Sequence, residues 1–342
     1  MADNLKSSEQ RHATMADVAA HVGVSRQLVG LAFRGASGVS AETAAKIFAA
    51  AEEIGYQPNL AAQALRRDAT RYIGVTYHTS HSSTEELLPA IYKEAESRGY
   101  KVMLSAISRE RDDQSAINEI IGHRCDGVIL ISSGLPVSRI QKIAKTIPMV
   151  SLSRRIKGVS CGVVASKGEL GIFDAVEYLV SLNHKDITYV DVSEMFDHEF
   201  RLEGYEHAIK KHSLKSSVIS ISGDYIESAG AKAAGMLLAK ATLPTAIVCA
   251  NDQVALGLVY SLQKAGVKVP KDVSVIGFDD TVARLPFLDF TTVHQDADEL
   301  AKAAVADLAD RIEGKKTKAE TYLTSAKLVI RSSTAKPRSI NK

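Results

Sequence analysis

The chain has 342 residues, enough for two or three domains, and 45% of them are apolar, a share that suits globular cores. Its formal net charge of +2 excludes a nonspecific polycation, and no stretch is long and apolar enough to span a membrane. The polar start MADNLKSSEQRHA lacks the apolar core of a secretory signal, so a cytoplasmic protein is expected.

Residues 1–13 are expected as a disordered arm. Thr14 can cap a first helix, with Asp17 three residues on facing its free backbone amides and Val18, Ala19 and Val22 forming its apolar side. Gly23 permits a tight turn, and Ser25 can cap a second helix running through Val29 to about Phe33. Two short helices joined by a glycine turn match the helix-turn-helix, whose second helix fits the major groove of duplex DNA. On its first turn, Arg26 and Gln27 can reach base edges; the bland alternative is a pair of solvated polar residues on a small bundle. A third helix follows the cap Ser40, with Ile47, Phe48, Ala51 and Ile54 on its apolar face, and ends at Gly55.

Pro58 interrupts helix, and Asn59 can cap the run Leu60 to Leu65, which is too short to be stable alone in water. Leu65 at its end is either ordinary packing or an apolar wedge between base steps in the minor groove. The first 71 residues hold eight Lys or Arg against seven Asp or Glu. The basic ones gather in the presumed docking elements: Arg26, Arg34, Arg66, Arg67 and Arg71.

The stretch Met15 to Leu65, with DVAAHVGVS, VSAET and GYQPNLAAQAL, resembles the DNA-binding head and hinge of the lactose/galactose repressor family. The resemblance implies a hinge helix that folds on operator DNA, with Leu65 as the intercalating leucine and Asn59 and Gln63 beside it at the minor groove. Thr14, Ser25, Arg26, Gln27 and Arg34 are expected as the DNA contacts of the helix-turn-helix. Where the family usually has Thr-Val-Ser in the recognition helix, this chain has Leu28, Val29 and Gly30, which makes its operator sequence its own.

From Tyr72 onward, short apolar runs alternate with helical ones, which argues for parallel sheets covered by helices on both faces. Strands are expected at Tyr72–Tyr77, Lys101–Ser105, Gly127–Ile131, Met149–Leu152, Ile187–Val190, Val218–Ile221, Ala246–Cys249, Val273–Gly277 and Tyr322–Leu328. Helices are expected at Glu85–Ser97, Asp113–Ile121, Ser138–Lys145, Glu169–Ser181, Arg201–Lys211, Ala229–Lys240, Val254–Ala265 and Glu299–Ile312. The fold class is therefore a small all-α helix-turn-helix head plus an α/β core of two doubly wound parallel-sheet subdomains, whose strand C-termini face each other where ligands bind. The expected parts are a head at 14–58, hinge helix and linker at 59–71, a core at 72–331 and a polar tail at 332–342. Within the core, the N-subdomain takes about 72–165 and 294–323, and the C-subdomain about 166–293 and 324–331.

The segments RLEGY, ANDQVALG, VIGFDD and TTVHQD, which carry Arg201, Asn251, Asp279 and Gln295, resemble the effector-binding core of the same family, itself similar to periplasmic sugar-binding proteins. By that resemblance Arg201, Asn251 and Asp279 contact hydroxyls of a small ligand, and Tyr225 stacks on it. Tyr77, Ser83, Ser153 and Gln295 complete the expected set. The chemistry is sound, since a polyhydroxylated molecule must regain donors and acceptors after losing water. The alternatives stay open: Arg201 and Asp279 can pair to tie loops together, and Asn251 can cap a helix. Where relatives often carry aspartates, this chain has Ser153 followed by Arg154, and Lys167. That favours a neutral cyclic polyol such as an inositol, or an anionic sugar derivative held by Arg154 or Lys167, over a common hexose.

Cys125, Cys161 and Cys249 lie far apart without metal-like or CxxC spacing, so they are expected as free thiols, and no cofactor is expected. An enzyme would need a nucleophile, phosphate loop or metal cluster, and the chain has no GxxxxGK[ST], HExxH or GxSxG; His123 and His184 are isolated. A solute-binding protein would share the core but lack the head. The tail RSSTAKPRSINK has no leucine heptads of the kind some relatives use to tetramerise, which favours a homodimer on a near-palindromic operator. The expected function is a sequence-specific DNA-binding transcriptional regulator, a repressor being favoured over an activator, controlled by a small polyhydroxylated effector.

Overall fold

The computed structural model describes residues 13–57 and 69–338, apart from 194, 196, 224 and 225. Asn59, Gln63, Leu65 and Tyr225 lie outside the described residues, as does most of the expected arm. The chain divides into two compact units, Met1–Ala69 and Thr70–Lys342.

Among the described residues of the first unit, side-chain caps start three helices: α1 (Met15–Val22), α2 (Arg26–Phe33) and α3 (Ala41–Glu53). Thr14 and Asp17 form a reciprocal capping box, the Thr14 amide donating to Asp17 Oδ2 at 2.8 Å. Ser25 Oγ accepts from the Leu28 amide and Ser40 Oγ from the Thr43 amide, each at 3.1 Å. Gly23 ends α1 at φ 77°, a left-handed conformation that costs a residue without Cβ nothing. Val18, Val29, Ile47, Ala50 and Ala51 form the core. Phe48, expected on the buried face, is 45% exposed and meets Phe33 edge-on at 5.2 Å, while Ala50 takes the interior position.

The second unit holds two parallel sheets. The larger contains β1 (Tyr72–His78), β2 (Lys101–Ile107), β3 (Gly127–Ile131), β4 (Met149–Leu152), β5 (Gly162–Ser166) and β11 (Glu320–Thr324), in the order β11-β5-β4-β3-β1-β2. Its helices are α4 (Thr84–Ser97), α5 (Asp113–Gly122), α6 (Val137–Ala144) and α11 (Ala297–Ile312). Alternate residues of β3 serve opposite faces: Ile129 and Ile131 join Ile91, Leu300 and Leu308, whereas Val128 and Leu130 join Ile117, Ile120 and Ile140. The smaller sheet runs β7-β6-β8-β9, from β6 (Ile187–Val192), β7 (Val218–Ile221), β8 (Ala246–Cys249) and β9 (Ser274–Ile276). It is covered by α7 (Gly168–Ser181), α8 (His198–Lys211), α9 (Glu227–Leu238) and α10 (Asp252–Lys264) around Tyr189, Tyr205, Leu258 and Phe278.

The chain passes between these subdomains three times, after β5, after β10 (Thr292–Gln295) and between β11 and β12 (Ala326–Val329). The expected single strand Tyr322–Leu328 is thus two strands. β11 pairs parallel with β5, β12 pairs antiparallel with β10, and Ser325 alone separates them. β5 was missing from the expected strands, because GVVAS is short and follows a turn-rich stretch.

A second correction concerns residues 332–338, expected as a polar tail outside the core. Ser333 Oγ donates to the Val275 carbonyl at 2.6 Å and accepts from the Thr291 amide at 2.8 Å. Ala335 holds the buried His184 Nε2 through its carbonyl at 2.8 Å, and Arg338 donates to the carbonyls of Leu243 and Asp272. The segment supplies partners to the outer edge of β9, so its polarity serves hydrogen bonding rather than solvation. Cys125, Cys161 and Cys249 are buried and unpaired with one another, and burial pushes the first two thiols up to about 11. Among the described residues no helix is long and apolar enough to cross a membrane.

Candidate functional site

Two regions collect the residues with chemistry to offer. In the head, Thr14, Ser25, Arg26, Gln27 and Arg34 are all exposed. Arg26 and Gln27 occupy the first turn of α2, and the Arg34 guanidinium lies over Gly30, where an added Cβ would sit 3.1 Å from Nη1. Val29 belongs to the core and Leu28 is half-buried, so the departure at 28–30 leaves the fold of the head intact. The arrangement presents two guanidinium groups and an amide on one short helix and its end, chemistry suited to base edges and phosphates.

In the second unit, the C-terminal ends of both sheets face a cavity with an empty volume of about 730 Å³ including its open mouth. Ser83, Ser153, Arg201, Asn251, Asp279 and Gln295 all line it. Arg201 comes from α8 and is 5% exposed. Its Nη1 donates to the Ala250 carbonyl and its Nη2 to Asp197, while Asp279 Oδ1 lies 3.8 Å away. The guanidinium also lies over the Phe278 ring, 3.8 Å from the centroid. Gln295 Nε2 donates to Asp279 Oδ1 at 2.6 Å, and Ser166 Oγ donates to Gln295 Oε1. Asn251 caps α10 by accepting from the Val254 amide at 2.9 Å and also lines the cavity, so the two readings of it are compatible.

Burial pushes the Asp279 carboxyl up to about 6, against the opposing pull of Arg201. Beside it the buried Asp252, pushed up to about 7 by burial and by the Asp279 charge, accepts from the Thr281 amide at 2.8 Å and the Thr292 hydroxyl at 2.6 Å. Gly277 is glycine because an added Cβ would fall 2.2 Å from Asp252 Oδ1. Three wall residues take left-handed backbone, Ser132 at φ 48°, Ser153 at φ 63° and Asp279 at φ 106°, the kind of local strain that surrounding structure must hold in place.

Some expectations fail on geometry. Tyr77 packs against the first sheet's core and is absent from the cavity wall. Arg154 is buried with Nη1 donating to the Ser133 and Leu135 carbonyls at 2.6 Å each, and Lys167 is an exposed helix cap. Neither lines the cavity. Asp280 ion-pairs with Arg331 at 2.7 Å and serves the scaffold.

Other wall residues were missed. Asp197 stands four residues before Arg201, a helical ion-pair spacing visible in DHEFR. Gln253 and Thr281 bridge the subdomains: the Ser82 amide donates to Gln253 Oε1 at 3.0 Å, Gln253 Nε2 to the Ser80 carbonyl at 3.1 Å, and the Ser82 and Thr281 hydroxyls meet at 2.9 Å. Glu86 and Arg284 form an ion pair across the same mouth. No sequence signal marks such pairs, which join residues roughly 170 to 200 positions apart. Among the described residues no group of His, Cys, Asp or Glu is placed to hold a metal ion.

Residues 14–59 match the model of bacterial regulatory proteins of the lacI family, and residues 176–334 match a periplasmic binding protein-like domain. The chain is 31% identical over 330 residues to the probable HTH-type transcriptional repressor ExuR of Bacillus subtilis (strain 168), covering 94% of this chain and 98% of that one. It is 31% identical over 333 residues to the HTH-type transcriptional repressor CytR of Escherichia coli (strain K12), covering 95% and 97%. A lac repressor dimer bound to operator and the anti-inducer ONPF superposes with a TM-score of 0.82 at 27% identity, over 95% of this chain and all of that one. A LacI transcriptional regulator from a Rhodococcus species gives 0.75 at 32% identity over 78% of this chain. A DNA-reading head of three capped helices, a cleft between two doubly wound sheets and full-length likeness to repressors converge: the chain belongs to the lacI family of bacterial regulatory proteins and is a DNA-binding transcriptional repressor, not an enzyme.

Proposed function

We propose that this repressor is a homodimer whose hold on a near-palindromic operator is set by a small polyhydroxylated effector, a sugar or cyclitol, bound in the cleft between its subdomains. The observation that carries the proposal is the convergence of a guanidinium, a carboxylate and two amides (Arg201, Asp279, Asn251 and Gln295) with Ser83 and Ser153 from the opposite subdomain around one cavity. Such a wall returns the hydrogen bonds that a polyol gives up on leaving water. Arg26 and Gln27 read base edges, Thr14, Ser25 and Arg34 hold the backbone, and Asn59, Gln63 and Leu65 engage the minor groove at the operator centre. Two recognition helices about one turn of DNA apart, roughly 34 Å, account for the expected palindrome.

A thermal-shift screen of sugars and cyclitols tests the cleft. A ligand at a hundred times its Kd stabilises the fold by about 2.7 kcal/mol. Arg201→Ala is expected to abolish that shift; retention of it would remove Arg201 from the site. Failure of the protein to prefer any palindrome over bulk duplex, with or without the hit, would refute the regulatory reading.

A further inference from the structure

We propose that the cleft selects its effector by charge: Asp197, paired with Arg201, makes the wall acidic, so the effector is a neutral polyol and anionic sugars are refused. The inference rests on the polyol reading above and narrows it. The cavity wall carries three carboxylates, Glu86, Asp197 and Asp279, against one guanidinium, Arg201. That guanidinium is already committed: Nη2 to Asp197, Nη1 to the Ala250 carbonyl, its face to Phe278, with Asp279 at 3.8 Å. Glu86 is matched by Arg284, which leaves two carboxylates around one guanidinium on the wall, with the His81 imidazole beside them.

The neighbouring cations are committed as well. Arg154 holds the Ser133 and Leu135 carbonyls. Arg155, on an adjoining chamber that shares Ser153, Asp197, Arg201 and Gln295, bonds Glu169 Oε2 and the Ser166 carbonyl at 2.6 Å each and lies over Phe200. A carboxylate or phosphate entering the cleft would lose its hydration and meet a surplus of like charge, while a hydroxyl would find acceptors in Asp197 and Asp279. Repulsion of the wrong ligand is one of the two ways in which a site discriminates, beside added attraction to the right one.

The test is a set of matched probes measured by calorimetry and thermal shift at pH 8 on the full chain: D-glucose with D-glucuronate, D-galactose with D-galacturonate, and myo-inositol with an inositol monophosphate. The expected result is that any pair giving a signal shows the neutral member binding at least tenfold more tightly. Asp197→Asn, close in shape and one charge fewer, is expected to narrow that ratio several-fold. An anionic member binding as well as or better than its neutral partner overturns the charge inference while leaving the polyol reading in place. Silence from every probe, neutral and anionic alike, overturns the polyol reading and this inference with it. The wild-type comparison needs no variant, so a poorly folding Asp197→Asn leaves the test decisive.

Discussion

Asp279 is held where burial opposes its charge and a second carboxylate, Asp252, stands beside it. Its value in the folded chain, about 6, lies above that of an exposed aspartate, so its contribution to stability is full at low pH and is lost as pH rises through about 6. Between pH 5 and pH 7.5 the loss is on the order of 1 kcal/mol. Urea unfolding of the unliganded protein at those two pH values is expected to show the difference between wild type and Asp279→Asn changing by that amount; a difference independent of pH would mean that the carboxylate stays ionised throughout. Single residues were the most legible part of the site. Arg201, Asn251, Asp279 and Gln295 stand in short segments whose order along the chain identifies them, and all four reach one cavity. The charge balance was not legible, because Arg154 and Lys167 read as available cations until their carbonyl partners and exposure were known.

At the scale of elements, what is local was readable and what is paired at a distance was not. Thr14, Ser25, Ser40 and Asn251 cap helices through amides three residues away, a relation written in the sequence itself. The docking of residues 332–338 depends on Ser274, Val275 and Thr291, 42 to 61 positions upstream, and composition alone makes that segment look like solvated tail. Ending the chain at Arg331 would leave the outer edge of β9 and the buried His184 without these partners. The expected cost is about 2 to 4 kcal/mol, since each lost bond is worth about 1 kcal/mol and some of the groups left behind are buried. Calorimetry is expected to register a drop in Tm on the order of 5 to 10 °C. A midpoint within a degree of the full chain would show the docking to be incidental.

For the whole molecule, control of an operator by an effector is a coupling between two sites, and coupling is reciprocal. If the effector changes operator affinity tenfold, saturating the protein with operator duplex must change the effector Kd tenfold in the same sense. Titrating the best ligand from the screen with and without duplex is the check, and a Kd unmoved by duplex would separate the cleft from DNA control. Leu65→Ala is expected to weaken specific sites far more than random duplex, measured at one fixed salt concentration because phosphate contacts make all such affinities salt-dependent. The three passages between the subdomains lie side by side: the Lys167 amide bonds the Thr324 carbonyl at 3.0 Å, and Ser166 bonds Gln295. Gln295, at the end of β10 beside one of these passages, also donates to Asp279 in the cleft wall, so the crossing segments and the cavity share a side chain. A molecule seated against Gln295 would therefore press on the very seam where the chain changes subdomains.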